Sequence, residues 1–418
     1  MIVDNSGIKI RPYWQLSLEE DKAISEQDAV IELRKRFEEA VSERMHADVP
    51  IGIFLSSGLD SNAILSVFHR EYKSKSRIKA YTARFAYQSY DETLAVRNVV
   101  KDFGIEHEIV DCDFNDLVEN FDSMVYHCDN LMANPAMLPN FLLSRRAHKD
   151  LKVVLHGGGG DEMFFGYPTY VADTLLKYFR HMFLLAGPIK LALSFFPASF
   201  EKLSTRYKFE KFLEGAGLTS ERAHYHWRTI FSEKSKSDLL NSMQGEDTYH
   251  CYRDLMEENR NIDFYTRALY ADFMVWWTYM GNYQVDAVSM AHSLELRLPF
   301  LDHTFVEFAF RIPRSYKFNG FSKKRLFKKA VKDLVHPAIL KLPKSGFHVP
   351  LAHWFYEERG RRWLMERLSK RNIEKVGLCN YDIIHKILED HWGRKRDASF
   401  HIFNLLVLHA WYQTFIKG

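Results

Sequence analysis

The sequence predicts an α/β fold: a parallel sheet flanked by helices, followed by a largely helical second half. Three observations carry this. Short apolar strand-like runs alternate with amphipathic helical runs from residue 27 to residue 155. Two of the strand-like runs empty into turns built of small residues. Beyond Tyr167 the strand signal nearly vanishes and aromatic-rich helical patterns take over.

Taken in order, residues 27–46 place Ala29, Val30, Leu33, Phe37, Val41 and Met45 at helical spacing with charges between them, the pattern of a helix packed on a sheet. Then follow a strand over 51–55, a helix over 61–72, a strand over 78–85, a helix over 91–104, a strand over 106–110, helices over 115–127 and 137–148, and a strand over 152–155. The expected division is a lead-in segment at 1–25, a nucleotide-binding α/β part at 26–170 and a helical part at 171–418 that completes the site. The apolar run from Met182 to Pro197 is broken by Gly187, Pro188, Lys190 and Pro197, so it reads as two short buried or partner-facing helices rather than a span.

Composition narrows the function. A chain of 418 residues with 46% hydrophobic content can bury more than one core. Its formal charge of +3 gives no footprint for nucleic acid or an anionic membrane. Cys112, Cys128, Cys251 and Cys379 are scattered, without metal-ligand spacing, and the N-terminus lacks the basic and apolar regions of a signal peptide. Reduced thiols and a cytoplasmic location are expected.

The two turns carry the chemistry. Ile51-Gly-Ile-Phe-Leu-Ser-Ser-Gly-Leu-Asp-Ser-Asn62 runs a strand into a turn that crowds Ser56, Ser57, Gly58 and Ser61 at the start of a helix, whose free N–H groups and positive dipole end suit an anion. Asp60 among those donors would repel a phosphate unless a cation lay between, which points to a magnesium-bound polyphosphate. Taken alone, the segment also fits an ordinary strand-to-helix turn capped by Asp60 or Ser61. About a hundred residues on, Val153-Val-Leu-His-Gly-Gly-Gly-Gly-Asp-Glu162 repeats the design. Four consecutive glycines are costly to order, by roughly 0.5–1 kcal/mol each, so close backbone approach to a ligand is the better account. If both turns stand at the carboxyl ends of parallel strands, Asp60 and Asp161 converge on one magnesium ion.

These segments, with Pro12-Tyr-Trp14, Tyr90-Asp-Glu92, Val288-Ser-Met-Ala-His-Ser-Leu-Glu-Leu-Arg-Leu-Pro-Phe-Leu-Asp302 and Pro343-Lys-Ser-Gly-Phe-His-Val-Pro350, resemble the synthetase domain of asparagine synthetase and its relatives, including β-lactam synthetase, over nearly the whole chain and in family order. The resemblance implies an adenine-nucleotide α-hydrolase-like fold of the ATP-pyrophosphatase type. It also implies ATP and Mg2+ as cofactors and amide synthesis in two steps, adenylation of a carboxylate and displacement of AMP by ammonia or an amine. Residue by residue, Leu55, Ala83, His156 and Gly157 would contact nucleotide, and Lys324 and Lys344 match the family's two catalytic basic positions. Lys324, inside Lys323-Lys-Arg-Leu-Phe-Lys-Lys329, fits a solvated charge run equally well. Glu295 and Arg297 are read as a structural ion pair, and His127-Cys128-Asp129 as a satisfied, partly buried trio.

Three departures from the family pattern stand out. Residue 2 is Ile where the family's glutaminase nucleophile is a cysteine, so nitrogen is expected from free ammonia, a partner glutaminase or a substrate amine. Ser57 replaces a family glycine. Gly158 stands where asparagine synthetases place an acidic residue and β-lactam synthetase a tyrosine, which leaves the amine proton without an obvious acceptor and suggests a larger pocket. The expected partners are a small-molecule carboxylic acid and ammonia or an amine, with a separate glutaminase or carrier protein and a second copy of the chain as further candidates. Neither nucleic acid nor membrane is expected. Competing readings are a cyclising β-lactam or macrolactam synthetase, a tRNA-modifying ATP pyrophosphatase, and a scaffold subunit without catalysis.

Overall fold

The computed structural model describes residues 1–417 apart from 73–77, 181–186, 190–196, 203, 243–246, 343–345 and 347. An exposed hairpin of β1 (Ile2–Asp4) and β2 (Gly7–Lys9) leads in. Then come α1 (Glu26–Glu43), β3 (Ile51–Phe54), α2 (Leu59–Tyr72), β4 (Lys79–Arg84), α3 (Thr93–Phe103), β5 (Glu106–Asp111), α4 (Phe114–Cys128), α5 (Met137–Ala147), β6 (Val153–Leu155), α6 (Gly160–Met163) and α7 (Pro168–Phe179). Local chemistry sets the helix ends. Ser25 caps α1 by accepting the Asp28 N–H at 3.1 Å, and Asp113 and Asp116 form a reciprocal capping box on α4. α3 stops at Gly104, where φ of +63° suits a residue without a Cβ.

The main sheet has the order β5-β4-β3-β6-β7, all parallel, and β7 (Glu295–Arg297) is the difference from expectation. The sequence predicts almost no strand beyond Tyr167, and residues 288–302 stand out only for their family likeness. Three residues, two of them charged, carry no strand signal of their own. They join because β6 offers an open edge, on which Val153, Val154 and Leu155 pair with Glu295, Leu296 and Arg297.

Alternation along the strands feeds two cores. Ile51, Ile53, Ala80, Val153 and Leu155 face α1 and α2, while Phe54, Tyr81, Ala83 and Val154 face α4 and α5. Both faces are therefore covered, as expected for a parallel sheet. Strand order reverses at β3 and β6, which pair with Ile51 opposite Val153, Gly52 opposite Val154 and Ile53 opposite Leu155. The loops after these two strands share the crevice that such a reversal opens.

The second half is helical apart from β7 and one isolated bridge among the described residues. It is fastened to α1 by a cluster of phenylalanines. Phe37 lies 5.2 Å from Phe300 and 5.3 Å from Phe327, whose ring stacks on Phe164 at 5.2 Å. No described helix is long and apolar enough to cross a membrane. The run from Met182 to Pro197 lies mostly outside the described residues. All four cysteines are free thiols, and only Cys251 is exposed.

Phe327 is fully buried at the centre of the phenylalanine cluster. Phe327→Ala is expected to lower stability by about 3–5 kcal/mol through lost burial and an unfilled cavity, read from urea unfolding. A loss under about 1 kcal/mol would show that the cluster does not join the halves.

Candidate functional site

The turn after β3 is folded tightly on itself. The Asn62 amide donates to the carbonyls of Ser56 and Gly58 at 2.8 and 2.7 Å, and the Ser61 hydroxyl sits 3.1 Å from that of Ser56. The Leu55 N–H donates to the Tyr81 carbonyl at 2.9 Å, and the Thr82 hydroxyl to the Leu55 carbonyl at 2.7 Å, which moors the turn to β4. Asp60 and Ser61 occupy the first turn of α2.

The glycines of the second turn are spacers, each facing a different neighbour. A Cβ on Gly157 would lie 2.9 Å from the Ser61 nitrogen, and one on Gly160 would lie 2.9 Å from an Asp60 carboxylate oxygen. Side chains there would drive the two turns apart. Gly166 is as restrictive, since its Cβ would fall 1.8 Å from Asp161 Oδ1.

Lys324 completes the centre. Its ammonium contacts the Asp60 carboxylate and lies 2.5 Å from Asp161 Oδ1. The lysine is 4% exposed, so it does not belong to a solvated charge run. Its backbone is held at φ +53°, with its N–H donating to the Phe164 carbonyl at 2.9 Å. Burial works against its charge, but Asp161 and Asp60 outweigh that and hold its pKa above the ordinary value. Asp60 and Asp161 thus converge, as their strands predict, around the cation of a third residue.

A small cavity beside the first turn brings together Leu55, Ser56 and Ala83 with Tyr90, Glu92 and Lys202. Sequence reasoning assigned no role to the last two. Glu92 accepts the Ser57 N–H at 3.1 Å, and Lys202 Nζ lies 3.0 Å from its other oxygen, both side chains being about nine-tenths buried. A carboxylate therefore accepts from one N–H of the turn, while those of Ser56 and Gly58 donate to the Ser61 and Ser56 hydroxyls at 3.3 and 3.2 Å. Tyr90-Asp-Glu92 was noticed only as a likeness, and nothing in the sequence around Lys202 marks it.

His156 begins the second turn. Its Nδ1 accepts the Gly158 N–H at 3.1 Å, and burial lowers its pKa to about 4, so the ring is neutral with its proton on Nε2. Gly158 does not enlarge the pocket as its missing side chain suggested. A Cβ there would fall 2.8 Å from Trp277 Cη2, because the indole fills the space. Lys344 lies outside the described residues.

Arg297 pairs with Glu295 at 2.7 Å and donates to the carbonyls of Arg44 and His46 at 3.0 and 2.7 Å, tying β7 to the end of α1. Cys128 is fully buried and its thiol is pushed up to about 12, so no thiolate forms in the His127-Cys128-Asp129 trio.

Behind the second turn, Tyr167 donates to buried Glu162, and Arg228 stacks 4.3 Å above the Tyr167 ring. Arg228 donates to Asp272 Oδ1 at 3.0 Å, and Asp272 also accepts from Tyr170 and Tyr252 at 2.6 and 2.9 Å. His224 lies between Asp173 at 2.7 Å and Asp272 at 3.3 Å. Burial opposes the Asp272 charge, but Arg228 and His224 outweigh it and hold the group below the ordinary carboxylate range. Burial pushes Asp173 the other way. For His224, burial lowers the pKa and the two carboxylates raise it further, to about 9.

A raised folded-state pKa means that the stabilisation from protonated His224 is full below its unfolded value of about 6.5 and is lost as pH rises through about 9. His224→Gln should therefore lower the melting temperature markedly at pH 6 and by much less at pH 10. An equal penalty at both values would contradict a charged His224.

A family model described as asparagine synthase matches residues 32–413. Glutamine-hydrolysing asparagine synthetase 1 of Bacillus subtilis is 28% identical over 401 residues, covering 96% of this chain and 60% of that protein. A putative glutamine-hydrolysing asparagine synthetase of Mycobacterium tuberculosis is 27% identical, covering 92% and 58%. The amidase chyE of Penicillium rubens is 24% identical, covering 91% and 61%. The chain thus spans about six-tenths of the length of these curated relatives.

Proposed function

The chain belongs to the asparagine synthase family, and from that premise we propose that it is an ATP-dependent, AMP-forming amide synthetase. In this reading it adenylates a small-molecule carboxylate, releases pyrophosphate and passes the acyl group to ammonia or an amine. The observation that carries it is the meeting of Asp60 and Asp161 around one cation at the strand-order reversal.

The donor set fits magnesium. Among the described residues the two carboxylates face the Lys324 ammonium, and a side chain at Gly160 or Gly166 would collide with Asp60 or Asp161. No group of three or more His, Cys, Asp or Glu that could hold a metal comes together among the described residues, so the rest of an oxygen shell would fall to phosphate and water. Asp60 and Asp161 would hold the ion, which when bound neutralises charge on the leaving pyrophosphate.

The protein's own groups have separable tasks. Backbone N–H groups of Ser56, Ser57 and Gly58, with the start of α2, would receive the β- and γ-phosphates, once the Ser61 hydroxyl, Glu92 and the Ser56 hydroxyl that now accept from them give way. Lys202, released from Glu92, is then a cation at the same turn. Leu55 and Ala83 offer backbone and apolar contact to the adenosine. Lys324 counters the carboxylates, and Lys344, by the family likeness, supplies a second cation to the developing charge. His156, neutral and already accepting from Gly158, donates through Nε2 but is too weak a base to take the amine proton.

The decisive measurement is carboxylate-dependent exchange of labelled pyrophosphate into ATP. Asp60→Asn and Asp161→Asn should each slow it by about a hundredfold, on the order of 3 kcal/mol in barrier. Magnesium-dependent exchange within threefold of wild type would refute the assignment.

With no base on Gly158 and a poor one on His156, the nitrogen must arrive unprotonated. Amide formation from ammonia should rise about tenfold per pH unit well below the pKa of ammonium. A flat profile between pH 6.5 and 8.5 at fixed total ammonia would show that the protein supplies a base.

A further inference from the structure

The residues Asp272–Tyr283 form a π-helical segment, a rare geometry found where a helix is re-aimed at a functional site. Within it two adjacent tryptophans turn opposite ways. Trp276 stands 5.2 Å from the Tyr167 ring and under Arg228, on the buried charge network. Trp277 is set between two glycines, with its Cε3–Cζ3 edge against Gly281 and its Cζ2–Cη2 edge against Gly158. A Cβ at 281 would fall 2.1 Å from the ring and one at 158 would fall 2.8 Å from it, so both positions must be glycine for the indole to sit there. The segment is held by the Asn134 amide on the Met280 carbonyl at 3.1 Å and by the Gln284 amide on the Asn134 carbonyl at 2.7 Å.

The second turn gives this placement its meaning. Gly157 faces Ser61 and the first turn, whereas Gly158 faces Trp277 and His156. Displacement at phosphorus runs in line, with attacking and leaving oxygens on opposite sides. Pyrophosphate leaves on the side of the first turn, so the attacking carboxylate enters from the other. On the adenylation reading, Trp277, which meets Gly158 where Gly157 meets Ser61, falls on that other side. The edge that meets Gly158 is the one next to the ring nitrogen, and Nε1 is buried with no hydrogen-bond partner among the described residues. A buried unpaired donor is costly, and an acceptor on the incoming acid would relieve it.

We propose that Trp277 is the residue that determines which acid enters: its indole sets the size of the acid pocket, and its Nε1–H selects acids with a polar group beyond the reacting carboxylate. The inference rests on the adenylation reading, and the two fail differently. Pyrophosphate exchange would be measured for glycine, aspartate, glutamate, phenylalanine and phenylacetate in wild type and variants, with folding checked by thermal melting. Trp277→Ala should shift the ratio of rates toward phenylalanine and phenylacetate by about tenfold or more, while Trp277→Phe keeps the wild-type size preference but loses discrimination between glutamate and phenylacetate. Gly158→Ala should impair exchange in wild type and be nearly neutral in the Trp277→Ala background. Folded Trp277→Ala with an unchanged acid profile would overturn the proposal and leave adenylation standing, as would a Gly158→Ala penalty equal in both backgrounds. Absence of exchange with every acid in wild type would overturn both.

Discussion

Everything in the site depends on one charge balance, the Lys324 ammonium between the carboxylates of Asp60 and Asp161. In a buried, weakly screened setting two carboxylates brought this close are stable only with a cation between them. The fold supplies the carboxylates from the ends of two neighbouring strands and the cation from a turn of the helical half, so the site exists only when the halves are joined. The joint is apolar: Phe164, stacked on Phe327, also provides the carbonyl that receives the Lys324 N–H. Packing and electrostatics thus act on the same few residues.

Away from this centre, a second buried charge system serves orientation. Asp272, which opens the π-helical segment, accepts from Arg228, Tyr170 and Tyr252, so the segment starts from a point with little freedom. Arg228 also presses on Tyr167, whose hydroxyl donates to Glu162, the neighbour of Asp161. A continuous line of contacts therefore runs from the buried network to the carboxylates, which fixes the wall of the site and its charged floor in one frame.

Much of this was legible in the sequence, for reasons that also explain what was not. The α/β half announced itself because β3, β4 and β6 are buried on both faces and its helices are amphipathic, and both signals are local. The two turns were legible because backbone approach needs small residues in a row. β7 was hidden, since Glu295-Leu-Arg297 becomes a strand only through the open edge of β6. Lys324 was ambiguous for a similar reason: a run of basic residues does not show which one the fold will bury. Gly158 misled, because a missing side chain reads as space until a residue more than a hundred positions away is known to fill it. Glu92 and Lys202 meet across a similar interval, so neither signals the other.

The position of Lys324 far along the chain also orders events during synthesis. At about 5–20 residues per second, the lysine follows Asp161 by on the order of ten to thirty seconds. Through that interval the emerging sheet carries two facing carboxylates without the Lys324 ammonium and, until residues 295–297 are made, a β6 edge without β7. The bare edge is open to any extended strand nearby. The stretch between these residues and the last helices is therefore the period in which the nascent chain most needs shelter.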